Sequence, residues 1–250
     1  GEVTDDLEDL DSYFEANNRA NDDLAALLYT SGTTGKPKGA MLTHQNLVSN
    51  ALQLINLWNI DKSDTLIHAL PIYHTHGLFV AINTSMMSGA SIRFIKNFNI
   101  DLVIEAFKYS TLMMGVPTFY TRLIKDKRLD KSLTKNMKLF ISGSAPLLTE
   151  THQDFYNITG HQILERYGMT ETNMNTSNPF DGERKAGSVG KPLKDISIRI
   201  NKTKGDKDTV LNKIGMIEIK GPNVFKGYLN NPEKTQEAFT EDGYFITGDI

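Results

Sequence analysis

Residues 24–39 read LAALLYTSGTTGKPKG: six residues of apolar, strand-like character, then a loop crowded with glycine, hydroxyl and lysine side chains. Such a loop suits a phosphate. Gly32 and Gly35 let backbone N–H groups approach an anion closely, Ser31, Thr33 and Thr34 add hydroxyl donors, and Lys36 and Lys38 add positive charge. It is not the Walker A loop, G-x-x-x-x-G-K-[ST], because Gly32 and Gly35 stand too close together and Pro37 follows Lys36. Taken alone, these residues are also common turn formers, so composition admits a plain surface loop as well.

Outward from this loop, apolar runs of four to eight residues alternate with longer amphipathic segments, the pattern of repeating strand and helix. Strands are predicted over residues 25–29, 65–70, 91–95, 111–116, 138–142 and 162–165, and helices over 45–58, 117–127 and 148–159. In the first helix Leu47, Ala51, Leu54 and Trp58 recur at helical spacing, and Thr43 stands where it can cap the start. Beyond about residue 187 helical patterns cease, and residues 197–200 and 216–220 read as strands around the polar, turn-like stretch NKTKGDKD. The fold class expected is α/β, a largely parallel sheet flanked by helices, with a β-rich piece near the C-terminal end. The chain divides on this reading into an acidic lead-in at 1–23, an α/β core at 24–186 and a β-rich subdomain at 187–250.

Composition narrows the function. With 27 Lys and Arg against 30 Asp and Glu, the net charge of −3 gives no electrostatic reason to expect nucleic acid as principal partner. The absence of Cys excludes disulfides, thiolate metal sites and cysteine nucleophiles. No stretch approaches the roughly 20 consecutive apolar residues that span a bilayer, and the acidic start carries no signal pattern, which favours the cytoplasm. Gly1 in place of Met suggests an excised or processed chain.

Further short blocks follow the phosphate-type loop in order: LTHQNL from Leu42, LPIYHTHG from Leu70, SGSAPL from Ser142, ERYGMTE from Glu165, GSVGKP from Gly187 and YFITGD from Tyr244. With these blocks the chain resembles the adenylate-forming superfamily of acyl- and aryl-CoA synthetases, peptide-synthetase adenylation domains and firefly-type luciferases. The resemblance implies a two-step ligase that uses ATP, Mg²⁺ and coenzyme A. A carboxylate attacks the α-phosphate to give an acyl-adenylate and pyrophosphate, and a thiol then displaces AMP. Both first-step reactants are anionic, so catalysis must come from positioning and from cationic and N–H groups.

The same resemblance assigns roles. Thr30, Ser31, Gly32, Thr33, Thr34, Gly35, Lys36 and Lys38 would hold the phosphates, with Thr30 and Lys38, together with His74, Thr170 and Glu171, taking part in catalysis. Gly143, Ser144 and Ala145 would line the adenine pocket. In ERYGMTE, Glu165, Tyr167, Gly168, Met169 and Thr170 would belong to the nucleotide site, Tyr167 stacking on adenine and Thr170 touching the α-phosphate. Glu171, with Thr30, would hold Mg²⁺, a hard cation that prefers oxygen. Asp249 would accept hydrogen bonds from the ribose hydroxyls. His74 would stand between the acyl pocket and the CoA tunnel, and His76 near the acyl group. Taken one at a time, Tyr167 reads better as core and Glu171 as a solvated charge, and a core residue is an alternative for either histidine. The His74 and His76 pair invites zinc, but no third ligand is evident.

Arg166 stands where most CoA synthetases of the superfamily have Gly. Arg166 would then intrude on the acyl pocket, where a guanidinium would repel an apolar tail by its desolvation cost and could hold a second carboxylate in a bidentate pair. ERYGMTE, LPIYHTHGLF and GVPTFYTR together are most similar to malonyl-CoA synthetases, which makes a small dicarboxylate such as malonate or methylmalonate the expected substrate and Arg122 a second candidate for its distal carboxylate. A short- or medium-chain or aryl acyl-CoA synthetase, a module that loads a carrier protein, and a nucleotide-binding domain without turnover are the alternatives. Members of the superfamily are longer, with a subdomain before the phosphate loop and a mobile domain after TGD that carries a catalytic lysine. This chain resembles their central part and is expected not to form acyl-CoA at a useful rate alone.

Overall fold

The structure, a computed structural model, describes residues 16–30, 37–201 and 214–250. Ser31, Gly32, Thr33, Thr34, Gly35 and Lys36 of the phosphate-type loop lie outside the described residues, as do most of the acidic lead-in and of the 201–208 stretch. The described chain enters on a hairpin of β1 (Leu24–Thr30) and β2 (Lys38–Thr43), antiparallel, with Thr30 and Lys38 as register partners. It continues into α1 (His44–Trp58), where the Thr43 hydroxyl accepts from Asn46 N–H and the Asn46 side chain accepts in turn from Thr43 N–H.

The main sheet begins with β3 (Thr65–His68), after which a π-helix (His76–Ile82) runs into α2 (Asn83–Ser88). There follow β4 (Ser91–Phe94), α3 (Ile100–Ala106), β5 (Leu112–Gly115), α4 (Pro117–Ile124), β6 (Leu139–Ser142), α5 (Thr149–Thr159), β7 (Leu164–Met169), β8 (Asn173–Ser177) and β9 (Lys191–Pro192). Strand order is β4-β3-β5-β6-β7-β8-β9, parallel from β4 to β7 and antiparallel from β7 to β9. A smaller antiparallel sheet joins β10 (Ser197–Asn201), β11 (Met216–Lys220) and β12 (Phe245–Ile246), with α6 (Pro232–Glu237) before β12. The α/β class holds, with parallel strands flanked by helices and antiparallel sheets added toward the C-terminal end.

Period-two alternation sends neighbouring residues of each parallel strand to opposite faces. Leu66, Leu112, Met114, Leu139 and Ile141 pack with Leu54 and Trp58 of α1. Ile67, Met113 and Phe140 pack with Val103 of α3, Tyr120 and Leu123 of α4, and Phe155 of α5. Both faces are covered, so these strands read as continuous apolar runs. Each such side chain contributes roughly 1.5–3 kcal/mol on burial. A third cluster joins Ala40 and Leu42 of β2 to Phe225, Tyr228 and Phe245, bringing the entering hairpin against the last part of the chain.

Three departures from the sequence pattern matter. Helix does not cease after residue 187: α6 starts at Pro232, capped by the Asn231 side chain, and is too short and polar to display an apolar period. The strand expected at 162–165 runs on to Met169, so most of ERYGMTE is strand rather than loop. The π-helix carries no sequence signature of its own. Among the described residues no helix is long and apolar enough to cross a membrane.

Candidate functional site

Because β3, β5, β6 and β7 run parallel, their C-terminal ends share one edge of the sheet, where an open α/β sheet offers a crevice. A cavity of about 1440 Å³ opens there, walled by the segments that follow those strands, the π-helix, the Thr30 and Lys38 end of the β1–β2 hairpin and the last residues of the chain. Thr30, Lys38, His74, His76, Ser144, Arg166, Gly168, Met169, Thr170 and Glu171 all line it. Positions as far apart in sequence as 30 and 171 are thus brought together.

Arg166 dominates one part of the wall. It is only 4% exposed, yet Nε and Nη2 have no hydrogen-bond partner among the described residues. Burial pulls its pKa down to about 10, and the one opposing influence is the Tyr120 phenol rather than an acid. Tyr120 is itself occupied, donating to Ile141 O over 2.6 Å. A buried cation without a counter-charge costs several kcal/mol, so the arrangement favours an anion supplied from the cavity.

His76 stands close by. Its Nδ1 lies 3.2 Å from Ser144 Oγ, and Nε2 is buried without a partner among the described residues. Burial first, then Arg166 and His68, hold the imidazole well below its ordinary pKa, so it is neutral near pH 7. His68, which the sequence reading passed over, donates from Nε2 to Gly77 O over 2.9 Å at the start of the π-helix. The chain is so close here that a Cβ on Gly77 would meet Pro71 O at 2.1 Å. Buried Thr75, whose Oγ1 also lacks a partner among the described residues, lines the same wall. His74 is exposed, its ring 4.6 Å from that of Tyr73.

A second group surrounds Glu171. This buried carboxylate accepts the Tyr228 hydroxyl at 3.0 Å, and Lys38 Nζ sits 4.5 Å from the Tyr228 ring centroid. Burial and the Glu171 charge raise the phenol's pKa, so Tyr228 stays a donor. One carboxylate with open lone pairs, a lysine and the Thr30 hydroxyl form a wall suited to phosphate and a hard cation.

The remaining sequence candidates lie off the cavity wall. Tyr167 is half-buried and donates to Asp249 Oδ2 at 2.5 Å. Glu165 is buried, accepting Gly187 N–H at 2.9 Å with His152 Nδ1 at 3.8 Å. Gly143 is buried and Ala145 exposed. Arg122 is exposed, its guanidinium 4.5 Å from the Phe98 ring, and Phe98 in turn stacks on Phe119 at 4.1 Å; those two rings line the cavity and Arg122 does not. Tyr228 and His68 were missed because each acts through a partner that sequence spacing does not reveal.

A family model described as AMP-binding enzyme matches residues 2–229. Malonate–CoA ligase of Arabidopsis thaliana is 40% identical over 259 residues, an alignment that takes in 96% of this chain and 42% of that protein. Among solved structures, ATP-bound MatB from Rhodopseudomonas palustris superposes with a TM-score of 0.94 at 55% identity, covering 98% of this chain and 49% of that one. A malonyl-CoA ligase ternary product complex with methylmalonyl-CoA and AMP bound gives 0.86 at 38% identity, covering 94% and 51%. The chain spans about half the length of these relatives or less.

Proposed function

The chain belongs to the AMP-binding enzyme family, and on that premise we propose that it forms the nucleotide- and acid-binding part of an ATP-dependent ligase that activates a small dicarboxylic acid, malonate or methylmalonate, and transfers the acyl group to coenzyme A. The observation that carries the choice of acid is Arg166, a buried guanidinium with two nitrogens unpartnered among the described residues, in a cavity whose apolar wall includes Val116 and Phe119. A second carboxylate of a C3 acid satisfies both the charge and the open donors, whereas a monocarboxylate satisfies neither.

The reacting carboxylate then faces the α-phosphate with the Thr170, Lys38 and Glu171 groups around it. Neutral His76 offers an imidazole without adding a further cation beside Arg166. Lys38 and the Thr30 hydroxyl would neutralise and orient the phosphate tail, and the Glu171 carboxylate, held by Tyr228, would be the protein's ligand for Mg²⁺. Bound Mg²⁺ would withdraw charge from the phosphate oxygens. Among the described residues no three His, Cys, Asp or Glu gather as a metal cage, so the cation would draw its other ligands from phosphate and water. Tyr167 and Asp249 are the proposed adenosine contacts, and a cytoplasmic location is part of the same proposal, tested by fractionating cells that express the whole protein.

The test is acid-dependent ATP–pyrophosphate exchange by the whole protein across malonate, methylmalonate, acetate and butyrate. Malonate should be preferred, and Arg166→Gly should lower the ratio of malonate to butyrate kcat/KM by about one to two orders of magnitude, the worth of a charge-assisted pair. A wild-type preference for a monocarboxylate, or an unchanged ratio in the variant, would overturn the assignment.

A further inference from the structure

Gly143 directly follows β6, and Arg166 lies on the neighbouring β7, where the pairing of Ser142 with Glu165 brings the two residues side by side. A Cβ built on Gly143 would stand 2.3 Å from Arg166 Cζ and 2.5 Å from both Nε and Nη1, far inside any real contact. The guanidinium therefore rests on bare backbone that only glycine leaves open. We infer that Gly143 is a specificity-determining residue of the acid pocket, which positions Arg166 by the absence of a side chain and is not a contact for the nucleotide base. The inference rests on the reading of Arg166 as the group that holds the distal carboxylate.

Which partner gives way decides the consequence. The backbone at 143 is tied to its neighbour through Gly143 N–H to Gly115 O at 3.3 Å, and the next residue, Ser144, is held at φ +67°. Arg166 contributes only the far end of a long side chain, the more compliant of the two. With the strand wall fixed, the guanidinium yields toward the cavity it already lines, into the space the acid would fill. A methyl group at 143 thus displaces a cation within the pocket and leaves the apolar core on either side of the sheet untouched. Arginine at 166 demands glycine at 143, whereas glycine at 166 removes that demand.

This dependence is measurable as a double-mutant cycle in the whole protein, with Gly143→Ala, Arg166→Gly and the pair, read as kcat/KM for malonate and for butyrate. Gly143→Ala should lower the malonate-to-butyrate ratio about ten-fold or more, yet change it less than about two-fold when Arg166→Gly is already present. An equal effect of Gly143→Ala in both backgrounds, or a matching rise in the KM for ATP in both, would overturn the inference by showing that Gly143 acts independently of the guanidinium. Arg166→Gly alone reports on the underlying reading: an unchanged ratio there overturns the assignment of Arg166 and this inference with it. Should Gly143→Ala prove insoluble, recovery of folding in the double variant carries the same conclusion, and an insoluble double variant overturns it.

Discussion

The Tyr228 hydroxyl donates to Glu171 Oε1 at 3.0 Å across 57 residues of sequence, and the Glu171 backbone carbonyl accepts Phe225 N–H at 2.8 Å. Side chain and main chain of Glu171 are thus fixed by the same later segment. Tyr228→Phe removes a hydrogen bond to a charged group, worth about 1.5–3 kcal/mol. The Mg²⁺ concentration for half-maximal malonate-dependent pyrophosphate exchange should rise several-fold in this variant. An unaltered Mg²⁺ dependence would show that the bond does not prepare the metal ligand.

Glu171→Gln separates charge from shape, because the amide oxygen still accepts from Tyr228 while the anionic ligand is gone. Exchange should fall further than in Tyr228→Phe, with thermal stability close to wild type. Malonate-dependent exchange equal to wild type would take Glu171 out of the metal's coordination.

His76 predicts a stability dependence on pH. Its folded pKa is held well below 6.5 by burial, Arg166 and His68, so the unfolded chain takes up a proton that the folded chain refuses. Stability should be flat with respect to this group above about pH 6.5 and fall below it, by up to about 1.4 kcal/mol per pH unit. Denaturant unfolding at pH 7.5 and 5.5 checks this: the loss on acidification should be smaller in His76→Gln than in wild type, and an equal loss in both proteins refutes it.

Away from the cavity, Asp64 is buried and accepts from Lys138 Nζ at 2.8 Å, Thr111 Oγ1 at 2.7 Å and Asp61 N–H at 3.0 Å, joining the starts of β3, β5 and β6. Asp64→Ala strands a lysine and a hydroxyl, and should lower the unfolding free energy by about 3 kcal/mol with the malonate-to-butyrate ratio unaltered. A loss below about 1 kcal/mol would mean that water replaces the carboxylate at little cost.

Alternating strand and helix, the parallel core and the first helix with its Thr43 cap were all readable in the sequence, because each depends on local periodicity or on a side chain bonding its own neighbours. Arg166, Glu171 and His76 stood out only through the resemblance of their blocks to the adenylate-forming superfamily; the structure puts all three on the cavity wall. The π-helix and α6 were not readable, one being a tertiary adjustment and the other too short to repeat.

Only the tertiary structure decided what those side chains meet. The sequence alone determined that Glu165 and Arg166 follow the apolar pair Ile163–Leu164; strand register determined that the guanidinium lies on Gly143, 23 positions earlier, and finds no acid partner among the described residues. It decided likewise that Tyr228 fixes Glu171, that His68 holds the entry to the π-helix, and that Arg122 sits behind Phe98 rather than on the cavity wall. Local pattern specifies which face of an element is buried, whereas partners across a sheet are set by pairing and close packing, which place residues side by side without regard to their separation along the chain.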